Sequence, residues 1–464
     1  MAGIGFELNK LLKRNSFFSD IFAFFYSANI SAGPWIISSI TVFLIQSLIP
    51  QEKIPFLISG IIYTFIFSTI LFGSVSTSVT RYLSDLIYRK DFQNIYQLYI
   101  SSVNYALLSS AIFLVIFFTA NRIFDVVKIG LFSYSLTVLT VIWVQTVFIS
   151  SIRKFFPVVS AFLIGGLISL ISTLILFKIF GEYYAYFGFN LGLMTIMVLL
   201  QTVIKSHLYT KNEHRLGINL FIEAIRKYKI QTIAGIFTYL AAWVDDFIAW
   251  THFKYSISKG FIFAPQYDIP MFISYLFIIP TLSLFVLILE TDFYNHYRLF
   301  YRSIEENRTF KFIRLAKSGL DDVLHSTTKS VLSIQFSFML VGLILSDEIA
   351  NLLLLDEYGL KTLRFGIVGA ALNGIFLYIS LVAHYFDLPD IPMKGAIMAF
   401  SINLITSILT IRIYPGLGFL IGFCFSTIYS FFSFNKIYSD LIRFEFTRSK
   451  LLIAQREVIV HENK

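Results

Sequence analysis

The chain has 464 residues, of which 56% are hydrophobic and 14% are charged, and its mean hydropathy is +0.74. Soluble domains average about 25% charged residues, so this composition excludes an ordinary soluble domain and indicates a polytopic membrane protein. The single cysteine, Cys424, excludes an internal disulfide and a cysteine-ligated metal site.

Apolar runs of about 20 residues are long enough to cross the hydrocarbon core of a membrane as a helix. Runs of this length predict an all-α protein with about twelve transmembrane helices. The predicted spans are 20–48, 54–79, 98–120, 126–149, 155–179, 182–206, 229–252, 268–290, 330–346, 363–385, 395–413 and 415–437. The ninth span is the shortest of the twelve.

The positions of the basic residues explain the net charge of +9. With a cytoplasmic N-terminus, most of the 37 Lys and Arg residues fall in cytoplasmic segments. Because basic loops stay on the cytoplasmic side, we predict a multi-pass membrane protein with both termini cytoplasmic. The charge therefore indicates topology, and nucleic-acid binding does not follow from it.

A cytoplasmic connection near the middle of the chain separates two sets of six spans. We therefore predict two six-helix lobes around a central cavity, and an even number of spans lets both lobes enter the membrane from the same side. The N-terminal lobe, with its basic cytoplasmic N-terminus, is 1–206, and the linker is 207–228. The C-terminal lobe is 229–437, with a cytoplasmic amphipathic loop at 291–329, and the cytoplasmic tail is 438–464.

The seventh span carries two adjacent carboxylates, Asp245 and Asp246, in the stretch TYLAAWVDDFIAW (238–250). Neighbouring residues lie about 100° apart around a helix, so the two side chains point in different directions. The Asp245 side also carries small residues, which allow a helix or a ligand to approach closely. The Asp246 side carries Tyr239, Trp243 and Trp250.

Two interpretations of this acidic pair are open. In the first, one carboxylate lines a translocation path and binds substrate hydroxyls or a proton, because acids inside a membrane rarely face lipid. In the second, the pair is wetted near the outer interface and the tryptophans anchor the helix there. Lys254 lies close by, so we expect the acids at the outer mouth or gate of the path.

The first span contains a proline, Pro34, that removes a backbone donor and should bend the helix. Asn29 and Ser31 lie near this bend, and Gly33 precedes the proline directly. We predict that Gly33 and Pro34 form a hinge and that Asn29 and Ser31 face the path. A packing kink with satisfied hydroxyl groups is the alternative.

Polar side chains also occur in the middle of other spans. Amides can hold helices together or line a hydrophilic cavity, and their occurrence in both halves favours a shared cavity. The predicted path residues of this kind are Asn104, Asn190, Gln335 and Asn373. Gln145, Gln201, Asn403 and His384 belong to the same set of intramembrane polar residues.

The predicted cytoplasmic loop 291–329 mixes aromatic and basic residues at helical spacing. It can dock a cytoplasmic partner, or it can lie as an amphipathic helix on the anionic inner leaflet. The predicted docking residues are Tyr297, Phe300, Arg302, Arg308 and Arg314.

The sequence contains none of the enzyme motifs GxxxxGK[ST], HExxH or GxSxG. Two acids in the segment DLPDIPMK, Asp387 and Asp390, are explained more simply by a proline-rich turn than by a metal site. We therefore predict no catalytic residues, no metal and no cofactor.

Twelve spans without an ATP-binding motif resemble the flippase and exporter superfamily of multidrug and oligosaccharidyl-lipid transporters. Residues 1–8, MAGIGFEL, Leu11-Leu12 and SAGPWIISSI (31–40) resemble more narrowly the PelG family, inner-membrane transporters of the Pel exopolysaccharide system. Asn9 departs from that pattern, which has a basic residue there, although Lys10 follows. The resemblance implies export of a growing amino-sugar polymer. It also implies partners: a cytoplasmic PelF-like glycosyltransferase and the membrane proteins PelD and PelE.

Two other functions remain open from the residues. A lipid-linked oligosaccharide flippase or small-molecule antiporter is one, although basic residues are almost absent from the middle of the spans, which disfavours a pyrophosphate carrier. A membrane scaffold that activates the glycosyltransferase is the other. The scaffold predicts that replacing Asp245 and Asp246 leaves secretion intact, whereas changes in 291–329 abolish it.

Overall fold

The computed structural model describes residues 53–152, 156–209, 217–253, 255–258, 261–288 and 293–448, together with scattered positions between 33 and 49. The MAGIGFEL segment, most of the first predicted span and the chain beyond 448 lie outside the described residues. Asn29, Ser31 and Pro34 also lie outside them, so the predicted bend and the path positions beside it stay predictions.

The N-terminal half, residues 53–209, is built from α-helices. The first two helices join without a loop through a π-helical turn at Thr69–Gly73. The helices are α1 (Pro55–Ser68), α2 (Ser74–Tyr88), α3 (Phe92–Asn121), α4 (Val126–Ile152), α5 (Phe156–Phe180) and α6 (Glu182–Leu208).

The C-terminal half, residues 229–448, follows a short helix, α7 (Asn219–Lys227). Its first helices are α8 (Lys229–His252), α9 (Pro265–Ser274) and α10 (Ile279–Ile288), with a two-stranded hairpin of β1 (Tyr255–Ser258) and β2 (Phe261–Phe263) between α8 and α9. The rest are α11 (Tyr294–Glu305), α12 (Phe310–Ile344), α13 (Ser346–Leu352), α14 (Glu357–Tyr385), α15 (Asp390–Thr410) and α16 (Leu417–Tyr438).

The described part of the chain has 11 helical spans long and apolar enough to cross a membrane. They correspond to the second to twelfth predicted spans, so the all-α polytopic fold is confirmed. The ninth span is much longer than predicted, because α12 begins at Phe310 and continues to Ile344. The described residues of the segment 291–329 form the helix α11 and the first half of α12, in agreement with the helical spacing of its aromatic residues.

Small residues let helices within each half approach closely. A Cβ atom added at Gly192 in α6 would lie 2.6 Å from the carbonyl oxygen of Gly165 in α5. Such close backbone contact is typical of membrane helices, in which packing replaces the hydrophobic driving force. A close contact at a glycine also joins the two halves, because a Cβ atom at Gly235 in α8 would lie 2.0 Å from the carbonyl oxygen of Ser74 in α2.

The seam where α1 and α2 meet α8 runs the length of the bundle. One end, called the basic end here, carries Arg81, Lys227 and Arg448. There Lys227 and Tyr228 both bond the carboxylate of Asp85. This hydrogen bond raises the pKa of the Lys227 ammonium group, so the lysine stays charged and the linker helix α7 is fastened to α2.

A second contact at the basic end involves Asp387, in the turn between α14 and α15. Its carboxylate contacts Arg81 of α2 at 3.4 Å and also pairs with Arg448. Asp387 has a φ of 53°, in the left-handed region that few side chains other than Asn and Asp tolerate. The prediction of a turn at this position is confirmed, and the turn joins the two halves of the chain.

Candidate transport site

Asp245 lies inside the C-terminal half, fully buried, where it accepts two hydrogen bonds from side chains. The Tyr267 hydroxyl of α9 donates to one oxygen at 2.5 Å, and the Asn403 amide of α15 donates to the other at 2.9 Å. Asn403 also donates to the Ala241 carbonyl at 2.8 Å. The small residues on this face of α8 therefore admit another helix, α15, as the sequence predicts.

Asp246 is also buried, with 1% of its surface exposed, but one of its oxygens has no hydrogen-bond partner among the described residues. Burial of an unpaired carboxylate oxygen is costly, and such groups concentrate at functional sites. Because neither acid is exposed, the alternative of a pair wetted at the outer interface is wrong, whereas a position at the outer mouth or gate of the path stays a prediction. A role of either acid in transport stays a prediction.

A third buried carboxylate, Asp268, completes the cluster. The indole Nε1 of Trp250 donates to its two oxygens at 2.9 and 3.0 Å, and the backbone N–H of Ala264 donates at 2.8 Å. Sequence reasoning missed Asp268 because an acid in the first turn after Pro265 is an ordinary helix-start signal. A signal that could have led to it is Trp250, 18 residues earlier in the chain, because a buried indole N–H usually has an acceptor.

Trp250 also connects the acidic cluster to the N-terminal half. Its ring stacks on Tyr63 of α1, with centroids 4.5 Å apart and planes at 15°. The Tyr63 hydroxyl donates to the carbonyl of Ile262 at 2.6 Å and accepts from the N–H of Ile262 at 3.1 Å. The strand β2 is thereby held against α1 at the end of the seam opposite the basic end.

The hairpin buries one aromatic ring inside the N-terminal half. Phe261 is fully buried, and its ring lies 5.1–5.6 Å from the rings of Phe56, Tyr63, Phe117 and Phe132. These rings come from α1, α3 and α4. The hairpin therefore closes this end of the seam by inserting a C-terminal side chain into an N-terminal pocket.

The predicted aromatic face of α8 turns toward the N-terminal half. The Trp243 indole donates to the Thr69 hydroxyl at 3.1 Å, within the π-helical turn. Tyr239 lies against Gly73, at which an added Cβ atom would come within 2.9 Å of the tyrosine ring. The grouping of Tyr239, Trp243 and Trp250 on one face is confirmed, whereas stacking on a sugar stays a prediction.

The predicted path amides mostly bind backbone groups within one half. Asn190 donates to the Leu131 carbonyl at 3.0 Å, and Asn104 donates to the Gly217 carbonyl at 3.3 Å. Gln335 donates to Phe277 and accepts two bonds from Thr281, which satisfies the break between α9 and α10. The oxygen of Asn373 is buried without a partner among the described residues. These contacts fit helix packing, and a path role is untested.

Gly33, the one described residue of the predicted hinge, lies against α5. A Cβ atom there would come within 2.5 Å of the Phe162 ring, so this position packs closely against the N-terminal half.

The predicted docking residues divide into two groups. Phe300 is fully buried, and the Tyr297 hydroxyl donates to the Tyr385 carbonyl at 2.8 Å, so Tyr297 anchors α11 on α14. Burial also raises the pKa of Tyr297 to about 12. Phe300 is therefore not available to a partner, whereas Tyr297 is half-buried and its docking role stays a prediction. Arg302, Arg308 and Arg314 are exposed as expected.

The chemistry of the site is that of a polar seam between two helical bundles. Its described residues offer three carboxyl groups, tyrosine hydroxyls and indole N–H groups, which can exchange hydrogen bonds with hydroxyl-rich molecules or hold a proton. Among the described residues, no group of three or more His, Cys, Asp or Glu side chains could hold a metal ion.

Solved structures with a similar fold include MATE transporters, among them a multidrug resistance transporter of the MOP superfamily. An inward-facing MATE transporter matches with a TM-score of 0.58 at 11% identity, over 90% of this chain and 95% of that one. An outward-facing form matches with a TM-score of 0.59 at 11% identity, over 90% and 96%. A mutant of the Vibrio cholerae MATE transporter VcmN matches with a TM-score of 0.58 at 11% identity, over 91% and 98%.

The chain thus has the fold of the MATE transporters. The family model described as "PelG: Putative exopolysaccharide Exporter (EPS-E)" matches residues 1–446. The chain belongs to the PelG family, as the resemblance of its N-terminal motif indicates. No curated protein matches the chain.

Proposed function

We propose that this protein exports an exopolysaccharide built from amino sugars across the bacterial inner membrane, with the basic end facing the cytoplasm. Membership of an exopolysaccharide exporter family supports the class of cargo. The basic residues at one end of the bundle support the orientation.

The main observation behind this proposal is that Asp246 is buried at the seam. The contacts at both ends of the seam can be broken without unfolding a helix. Asp246 lies on α8 between Trp243 and Trp250, which both bind N-terminal residues. Toward one end the seam is held by a hairpin, and toward the other by ion pairs, and neither contact belongs to a helix backbone. The halves can therefore part at either end while the helices remain intact, which is what alternating access requires.

A long polymer favours many weak contacts along its path over a single tight site. The seam supplies aromatic faces and hydrogen-bonding groups at Tyr63, Trp243 and Trp250, and Asp246 has an oxygen free to accept a bond from a sugar hydroxyl. We propose that Asp246 binds sugar hydroxyls, or a proton when the path is empty, as the halves separate.

We also propose that the polymer is delivered by a cytoplasmic glycosyltransferase of the PelF kind, with membrane partners of the PelD and PelE kind. Support comes from the family and from the exposed basic and aromatic surface at the start of α12, where Phe310, Phe312 and Leu315 are exposed. Polar rims around apolar residues are typical of protein interfaces.

The test is complementation in the source bacterium after deletion of its chromosomal copy. The Asp246→Asn variant should lower secreted polymer at least tenfold at unchanged protein level in the membrane. Asp322→Asn, which changes an exposed acid on α12, is the matched control and should secrete normally. Normal secretion by Asp246→Asn would refute the role of the acid and would favour a scaffold that only activates the glycosyltransferase.

A further inference from the structure

A lateral groove of about 500 Å³ opens in the N-terminal half, away from the seam. Helices α3 and α6 form its walls, and α4 closes its back. The residues that matter here are Ile100, Val103 and Met197 on the apolar walls, Tyr99 and Gln201 at the polar part, and Lys205. None of the residues that line the groove is acidic.

Within the groove, the polar groups lie at the end closest to the basic end of the bundle, and they follow a definite order. Gln201 and Lys205 are four residues apart on α6, so they are separated by about 6 Å along the helix axis. Lys205 is exposed and lies in the last turn of α6. A headgroup layer is about 5–7 Å thick on each side of the hydrocarbon core, so these side chains match the depths of a lipid phosphate and of its ester groups.

Hydrogen bonds fix the orientation of Gln201. Its carbonyl oxygen accepts a bond from the Tyr99 hydroxyl and another, 3.1 Å long, from the Gln145 amide. Gln145 is itself buried and also donates to the Met197 carbonyl at 3.1 Å. With its oxygen occupied, Gln201 can offer its amide N–H groups to the groove. The groove thus presents hydrogen-bond donors and one positive charge above apolar walls.

An aromatic pair marks the depth of this end of the groove. Tyr96, which also lines the groove, contacts Tyr209 edge to face with centroids 5.4 Å apart. Tyrosines concentrate where the membrane meets water. The end of the groove that carries Lys205 therefore lies at the headgroup level of the leaflet next to the basic end.

We propose that the groove binds one anionic phospholipid from that leaflet. The phosphate pairs with Lys205, an ester carbonyl accepts from the Gln201 amide, and an acyl chain lies along Ile100, Val103 and Met197. Basic pockets between membrane helices are known to take acidic headgroups. A sugar or a cation fits less well, because the deeper walls are apolar and no carboxylate is present.

The experiment is native mass spectrometry of the full-length protein in detergent, titrated with phosphatidylglycerol in the presence of excess phosphatidylcholine. The wild type should retain one phosphatidylglycerol preferentially. Lys205→Gln should lower its apparent affinity at least fivefold, whereas Lys394→Gln, which removes another exposed lysine near the same end, should leave it unchanged.

A second pair of variants tests the groove itself. Val198→Trp places a bulky ring on the exposed rim of the groove and should lower lipid retention, whereas Val115→Trp, on an exposed surface of α3 away from the groove, should not. Equal retention by Lys205→Gln and the wild type would overturn the proposal, and so would an equal loss in Lys394→Gln. Displacement of the lipid by free glycerol phosphate would overturn it in favour of a soluble phosphate ligand.

Discussion

Tyr63 and Trp250 stack across the two halves of the protein, and each ring also fixes a second group. Tyr63 bonds both backbone groups of Ile262, and Trp250 bonds the carboxylate of Asp268. A movement of the hairpin is therefore coupled to the acidic cluster through two aromatic rings. If the protein transports its cargo as proposed, this relationship assigns the hairpin as the gate at the end opposite the basic end.

Removing the Tyr63 hydroxyl should release the hairpin. Tyr63→Phe keeps the ring and its stack but leaves the N–H and carbonyl of Ile262 without their partner, at about 1–3 kcal/mol for an unpaired buried group. We expect hydrogen exchange at the Ile262 amide to accelerate at least tenfold, measured by mass spectrometry on the protein in nanodiscs.

Tyr105→Phe is the matched control for this experiment. The Tyr105 hydroxyl donates to the Leu71 carbonyl at 3.3 Å, entirely within the N-terminal half. Its loss should leave exchange in the hairpin unchanged. Equal acceleration of hydrogen exchange in both variants would show that the whole protein has become less stable. It would contradict a specific release of the hairpin.

The two neighbouring acids should differ in their effect on stability. Asp245→Asn puts an N–H₂ group where an oxygen accepts from Tyr267 or Asn403, so one buried hydrogen bond is lost at a cost of about 1–3 kcal/mol. Asp246→Asn loses no side-chain bond found among the described residues. We expect the midpoint of thermal unfolding in detergent to fall for Asp245→Asn and to hold or rise for Asp246→Asn.

Tyr267→Phe provides the check on this assignment, because it removes one of the two side-chain hydrogen bonds that Asp245 accepts. The double variant of Tyr267→Phe and Asp245→Asn should then cost less than the sum of the single variants, since contacting residues are not additive. An additive result, or a larger loss in Asp246→Asn, would contradict the pairing described here.

The helical framework could be predicted from sequence because it depends on local patterns. The length of an apolar run fixes a span, and α8 begins and ends at the predicted residues, Lys229 and His252. The different directions of the Asp245 and Asp246 side chains follow from helix geometry alone. The ninth span was placed too short because the first half of α12 carries charges on one face, and composition alone cannot show that such a segment continues the helix.

The site was harder to predict because its parts are distant in sequence. Tyr63 and Ile262 are 199 residues apart, and neither carries a charge or a motif that marks it. The burial of Asp246 could not be deduced either, since Lys254 nearby suggested a wetted interface. Exposure depends on which helices cover a side chain, and that is a property of packing between the halves.

Substitutions of two phenylalanines, Phe312 in α12 and Phe300 in α11, should separate a loss of docking from a loss of stability. Phe312 is 41% exposed, whereas Phe300 is fully buried. Phe312→Ala should weaken co-purification with the proposed glycosyltransferase and leave the thermal midpoint unchanged. Phe300→Ala should destabilise the protein by about 3–5 kcal/mol, the usual cost of a buried phenylalanine. If Phe312→Ala binds the enzyme as tightly as the wild type, this surface is not the docking site.

The contacts of Asp387 at the basic end should depend on salt. Both partners of each pair are partly exposed, and such pairs contribute about 0.2–1 kcal/mol and are screened by salt. Asp387→Asn removes the charge and retains a residue that tolerates the left-handed backbone. Spin labels at Ser84 and Lys394, in a variant with Cys424→Ser, report the distance between the halves.

We expect a longer distance to become more populated in Asp387→Asn, and in the wild type at high salt. High salt should add little in Asp387→Asn, because the ion pairs are already lost. Glu357→Gln, which removes an exposed pair with Lys361 within α14, should not change the distance. A salt response of equal size in Asp387→Asn would show that other charges hold this end together.

The close contact between α8 and α2 at Gly235 should tolerate no added methyl group. In Gly235→Ala the new Cβ atom meets the Ser74 carbonyl at 2.0 Å, a separation that real Cβ atoms do not reach. The halves must therefore move apart at this point, which strains the hydrogen bond between Ser78 and Thr232 one turn away. We expect a lower thermal midpoint and a larger population of separated halves.

Gly130→Ala is the matched control, because a Cβ atom added at this glycine of α4 would have no other atom within 4 Å. Alanine is about 1 kcal/mol more favourable than glycine inside a helix, so Gly130→Ala should hold or raise the midpoint. Gly235→Ala gains the same helix preference, so any loss it shows is due to the contact with α2. A rise in both variants would mean that the halves do not meet at Gly235 in the membrane.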